Sequence, residues 1–127
     1  MSVLEVDNLE AGYGDLTVVH GVDLSVDRGE MLTIIGPNGA GKSTFLKGVV
    51  GLADRQDGSV VLNDTDITDS PPEDVIYEGI CHVPQVNNIF QNLSVLENLK
   101  MGAWALEDAT FEERVESVYD RFSVLEE

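Results

Sequence analysis

Basic residues are scarce in this chain. Seven lysines and arginines face 24 aspartates and glutamates across 127 residues, for a formal net charge of −17. The lysines are Lys42, Lys47 and Lys100 alone. Such a surface repels nucleic acid and anionic lipid, so direct binding to either is excluded as the expected role. Cysteine is nearly missing as well. Cys81 has no second cysteine to pair with, which rules out an internal disulfide and fits a reducing compartment. No apolar run approaches the roughly 18 residues of a membrane span. The opening Met-Ser-Val-Leu-Glu-Val-Asp lacks the basic and long apolar segments of a secretory leader. Neither histidine, His20 or His82, has partners at zinc spacing. These absences leave a soluble, cytoplasmic chain of one domain at most. The acidity itself is expected to reflect adaptation to high salt, where screening shortens repulsion to a few ångströms, the alternative being an acidic protein of ordinary salt conditions.

What is present centres on one stretch. Gly36-Pro37-Asn38-Gly39-Ala40-Gly41-Lys42-Ser43-Thr44 fits G-x-x-x-x-G-K-[ST]. A chance match in a chain this long is roughly a one-percent event on average residue usage. Its flanks agree with the motif. Met31-Leu32-Thr33-Ile34-Ile35 reads as a buried strand, and Phe45, Leu46, Val49 and Val50 place an apolar stripe on a following helix. Gly36, Gly39 and Gly41 permit backbone conformations and close approach that a Cβ forbids. Free amides at the helix start and the helix dipole attract an anion. Lys42 supplies charge to the β- and γ-phosphates, and Ser43 offers a hydroxyl to Mg²⁺. Nucleotide binding is the expected chemistry.

The rest of the chain supplies a frame. Val3–Asp7 and Val18–Val26 alternate as half-buried strands, with Gly12-Tyr13-Gly14 in a turn between them. Asp27-Arg28-Gly29-Glu30 turns into the strand before the glycine loop, so the early strands form an antiparallel layer. Gly51 ends the helix, Ala53–Asp57 reads as a polar loop, and Gly58–Leu62 is a strand before an Asn63-Asp64 turn. Ser70 is a candidate cap for a helix running to about Glu78, stopped by Gly79. Ile80–Val83 reads as a short strand with Cys81 and His82 as packing residues, and Gln85–Asn92 as a loop. Two S/T-x-x-E capping boxes, at Ser94 and Thr110, open the final helices. Behind the second, Phe111, Val115, Val118, Tyr119 and Phe122 keep helical spacing to about Leu125, and its carboxylates form a solvated face.

Taken together these pieces resemble the nucleotide-binding subunit of an ABC transporter. The resemblance spans essentially the whole chain. It rests on Tyr13 in its Gly-Tyr-Gly turn, Gly21–Val26, Gly29-Glu30 and the glycine loop itself. It continues through Gly51-Leu52, Gly58-Ser59-Val60, Asp66-Ile67-Thr68, Val83-Pro84-Gln85 and Leu93–Leu99. Within the family the chain is most similar to the second ATP-binding subunit of branched-chain amino-acid importers, the LivF type. The stretches 66–72, 79–84 and 97–103 carry that narrower likeness. The fold implied is α/β: a P-loop NTPase core with an N-terminal antiparallel β layer and the start of a helical subdomain, incomplete. Residues 1–92 would belong to the core and 93–127 to the helical subdomain.

The resemblance also implies roles. Tyr13 would stack on adenine and Val18 touch its edge, with ATP and Mg²⁺ as cofactors. Gly36, Asn38, Gly39, Ala40, Gly41, Lys42, Ser43 and Thr44 would wrap the phosphates. Gln85 would reach Mg²⁺ or the attacking water and sense the membrane partner, acting with Lys42 in catalysis and with Ser43 at the metal. The partners implied are membrane permease subunits and a second ATPase subunit, identical or not, at the inner face of the cell membrane.

Four further parts of the family's machinery do not occur in these residues. They are the LSGGQ-type signature, the Walker B aspartate, its following glutamate and the switch histidine. The chain is therefore expected to be the N-terminal part of an ATPase subunit, inactive and poorly folded alone. The alternative is a naturally short, non-catalytic module that binds nucleotide or a permease. A GTPase fails for want of N-K-x-D and D-x-x-G, and a small kinase for want of an arginine-rich lid.

Overall fold

The computed structural model describes residues 2–37, 39–84, 86–103 and 108–126, leaving aside the side chains of residues 108 and 109. It divides into two compact units, Met1–His82 and Val83–Glu127.

The first unit is built on two hairpins. Alternating aliphatic residues make β1 (Ser2–Tyr13) and β2 (Leu16–Asp27) antiparallel partners, from Tyr13 opposite Leu16 to Ser2 opposite Asp27. Only Gly14 and Asp15 turn between them, with Gly14 at φ 59°. The second hairpin joins β3 (Asp54–Leu62) to the short β4 (Thr65–Asp66). Its turn, Asn63-Asp64, has φ 48° and 66°, the two left-handed positions a type I′ turn requires. β3 pairs antiparallel with β1, giving the order β2-β1-β3-β4. The expected antiparallel layer is thus present.

A line of irregularities crosses this sheet. Pairing shifts between Val6 and Leu9 on the β2 side and between Asp7 and Glu10 on the β3 side. Asn8, Gly21 and Gly58 sit there with φ 48°, 63° and 88°. A Cβ at Gly58 would strike the carbonyl of Asn8, so only glycine allows the three strands to bulge together.

Helix α1 (Lys42–Val50) lies on the sheet. Gly48 faces β1 so closely that an added Cβ would fall 2.8 Å from that of Ala11. Val6, Leu9, Ala11 and Val60 from the sheet and Phe45 and Val49 from α1 form the buried centre. Ile67 and Val75 close it from the segment after β4. Gly51, at φ 85°, ends the helix as expected, its amide donating to Gly48 O at 3.3 Å.

Four expectations in this unit are corrected. Residues 31–35 form no strand, and Met31 and Ile35 are 92% and 90% exposed. A buried strand needs ladder partners, and no strand among the described residues pairs with this run. Ile80–Val83 forms no strand either, for the same reason, and Cys81 is exposed rather than packed. The supposed loop 53–57 is largely strand, since β3 begins at Asp54. Ser70 is not a cap: α2 (Pro72–Val75) starts from Pro71, with Pro72 in its first turn, and passes through a 3-10 turn, Ile76–Glu78, to Gly79. Proline's fixed φ starts that helix without a side-chain cap.

The second unit holds α3 (Val95–Gly102) and α4 (Asp108–Arg121). The Ser94 capping box forms in full: Glu97 N donates to Ser94 Oγ and Ser94 N to Glu97 Oε1, both at 3.1 Å. The bond from Ser94 N, and after it the Ser94 hydroxyl, lower the pKa of the Glu97 carboxyl from its ordinary value. The second capping box does not form, because Thr110 lies inside α4. Val115 is buried on α4, but Phe122 is exposed beyond its end, where a 3-10 turn (Ser123–Glu126) replaces the expected last helical turn. Leu96 of α3 and Phe111, Val115 and Tyr119 of α4 line a cavity of about 610 Å³.

Candidate nucleotide-binding site

The chain leaves β2 through the turn at Asp27, where Glu30 N donates to Asp27 O at 3.0 Å. It then reaches the glycine loop, where Ala40 N donates to Pro37 O at 3.2 Å. Gly39 and Gly41 take φ 84° and 94°, conformations in which a side chain would be strained. The first helical bond of α1 is Phe45 N to Gly41 O at 2.8 Å, so the amides of residues 42–44 precede the ladder and belong to the free helix start. No acidic residue stands in that first turn. In so acidic a chain, this leaves the dipole's positive end unopposed.

Lys42 opens the helix and reaches back. Its Nζ donates to Gly36 O and, at 3.4 Å, to Pro37 O, tying the two ends of the loop together. Ser43 is exposed, whereas Thr44 is buried, so only the first hydroxyl is open to a ligand's metal ion. The loop, the free helix start, one ammonium and one exposed hydroxyl fit a polyphosphate with its divalent cation. Gly36, Gly39, Ala40, Gly41, Lys42, Ser43 and Thr44 are thus contiguous around one helix start.

Val18 is brought beside them. A Cβ on Gly41 would lie 3.5 Å from Val18 Cγ1 and 3.4 Å from Val19 Cγ2. A cavity of about 460 Å³ opens between β2 and the loop, lined by Val18, His20, Ile35 and Lys42 among others. Tyr13 does not line it; it stands at the hairpin end, 47% exposed. Asn38 and Gln85 lie outside the described residues.

Three residues around the site escaped the sequence reading: Asp54, Arg55 and Gln56. They looked like loop, yet they alternate across the start of β3. Asp54 and Gln56 bind the β1–β2 turn, while Arg55 binds the end of α1. The only signal available was an arginine in a chain with few basic groups. Burial pulls the Arg55 pKa below its ordinary value, with Asp69 and Asp66 opposing. The group stays charged.

A glycine loop opening a helix, set against an antiparallel layer, defines a phosphate-loop nucleotide-binding module. Residues 19–126 match the ABC transporter family, and the chain belongs to it. It is 38% identical over 123 residues to the probable branched-chain amino acid transport ATP-binding protein LivF of Archaeoglobus fulgidus, covering 97% of this chain and 52% of that one. It is also 38% identical to the lipopolysaccharide export system ATP-binding protein LptB of Escherichia coli K12, covering 90% and 47%. Among solved structures, an ATP-binding subunit of an ABC transporter superposes with a TM-score of 0.79 at 34% identity, covering 95% of this chain and 50% of that chain. The chain therefore spans about half the length of the relatives it matches.

Proposed function

We propose that this chain belongs to an ATP-binding subunit that couples ATP binding and hydrolysis to solute import, with branched-chain amino acids as the cargo. The observation that carries the nucleotide part is the glycine loop at the start of α1, with Lys42 tied across it. The likeness to LivF over 97% of the chain supports the cargo. In this reading Tyr13 stacks on adenine, Val18 touches its edge, and Asn38 joins the loop around the phosphates. Ser43 and Gln85 serve Mg²⁺, and Gln85 with Lys42 serves the transferred phosphoryl group. Residues 1–92 form part of the catalytic core and 93–127 part of the helical subdomain.

The partners are permease subunits and a second ATPase subunit, which hold the protein at the inner face of the membrane. No helix among the described residues is long and apolar enough to cross it. A second reading has its own support, since LptB, at equal identity, serves lipopolysaccharide export. Uptake of labelled leucine by cells carrying or lacking the intact gene separates the two. Loss of uptake on deletion is the expected result; unchanged uptake with altered envelope lipid would sink the import reading.

The acidity supports a further part of the proposal, a high-salt habitat. Carboxylates repel one another at low ionic strength and are screened in molar salt. The intact protein should unfold at a clearly higher temperature in multimolar KCl than in dilute buffer. Equal transition temperatures would remove the idea.

A further inference from the structure

The turn between β1 and β2 is held from outside itself. Gln56 Nε2 donates to Gly14 O at 3.0 Å and to Leu16 O at 3.1 Å, and Thr17 Oγ1 donates to Gln56 Oε1 at 2.5 Å. Gly14 N donates to Asp54 Oδ2 at 2.8 Å. Both backbone groups of Gly14 are therefore taken by side chains of β3, far away in sequence. A two-residue turn at the tip of a hairpin ordinarily frays. This one has four bonds from one neighbouring strand. The strands also close tightly at this point, because a Cβ on Gly12 would collide with the carbonyl oxygen of Leu16. Tyr13 lies between that contact and the Gly14 anchor.

We propose that Gln56 is a positioning residue for the base platform: it fixes the hairpin tip that carries Tyr13 and so sets the attitude of that ring. The proposal rests on the reading of Tyr13 as the adenine-stacking residue. Its amide is suited to the task. One oxygen accepts from a hydroxyl while two N–H groups serve two carbonyls, so a single orientation satisfies all three partners. Residues at i and i+2 of a strand share a face, which is why Asp54 and Gln56 act together while Arg55 turns the other way. A ring held in advance binds a base without the cost of ordering it at that moment.

The test compares two probes on the intact protein, MgATP and magnesium tripolyphosphate, the second having phosphates but no base. Gln56→Ala should weaken MgATP binding about five- to tenfold, part of the loss expected for a stacked base, and leave tripolyphosphate binding unchanged. Gln56→Glu keeps the acceptor for Thr17 but turns an oxygen toward two carbonyls, and should do at least as badly. In a Tyr13→Ala background Gln56→Ala should add nothing, since the two act through one element. If Tyr13→Ala weakens MgATP but Gln56→Ala does not, the positioning role is wrong and the platform stands. If Tyr13→Ala leaves MgATP binding unchanged, the platform fails and the positioning role with it. Equal weakening of both probes by Gln56→Ala would make Gln56 a general support of the unit and overturn the proposal.

Discussion

If the proposed function holds, replacing Lys42 by alanine should lower ATP hydrolysis by the intact protein about a hundredfold or more, the loss expected when one donor to the transferred phosphoryl group is removed. Two contributions are lost together. The ammonium is the one lysine charge in the glycine loop, within a chain of net charge −17. It also ties Gly36 O and Pro37 O to the start of α1, so the loop loses an internal brace. Lys42→Arg separates the two. Arginine keeps the charge but replaces a compact point donor with a planar fork, which cannot sit over two successive carbonyls in the same way. It should recover some nucleotide affinity and little turnover. Steady-state hydrolysis and equilibrium MgATP binding, measured on the same preparations, check both statements. Unchanged hydrolysis in Lys42→Ala would remove this residue from the mechanism.

How much of this was legible in the sequence follows from how far apart the cooperating residues lie. The glycine loop, α1 and its end at Gly51 are local, and spacing alone placed them. The Ser94 box is local too, and its two reciprocal bonds form as written in S-x-x-E. Strands are another matter. Residues 31–35 and 80–83 have the composition of buried strands but no ladder partner among the described residues. Conversely, Asp54, Arg55 and Gln56 have the composition of a loop but lie in β3, because their side chains find backbone partners in the β1–β2 turn, at the start of β2, on α1 and in the segment 67–70. Propensity is overridden when polar side chains have carbonyls to bind. Thr110 shows the opposite error. A capping pattern occurred inside a helix that had already begun, and pattern alone cannot tell the two apart.

Arg55 carries the second large effect, on stability rather than turnover. Its guanidinium donates to five backbone carbonyls. Nε reaches Gly48 O at 2.7 Å and Nη2 reaches Val49 O at 2.9 Å, both in the last turn of α1. Nη1 reaches Ile67 O and Thr68 O at 2.7 Å and Ser70 O at 3.0 Å. The end of α1 and the segment after β4 are thereby pinned to one strand, and the charge lies against the helix's negative end. Gly51 leaves the space for this, since a Cβ there would stand 3.2 Å from Arg55 Nη2. Arg55→Met retains most of the stem and removes every donor. Water can replace only some of the lost bonds, so the expected cost is about 3 kcal/mol, within the range of one or two charge-assisted bonds. For a domain of the relatives' size that lowers the melting temperature by roughly 10 °C. Arg55→Lys keeps the charge, but its single ammonium cannot span both carbonyl groups and should restore the lesser part. Thermal unfolding of the three proteins at one salt concentration is the measurement, because surface charge also moves with salt. A melting temperature for Arg55→Met within about 2 °C of the parent, less than 1 kcal/mol on the same scale, would mean that water serves these carbonyls as well as the guanidinium does.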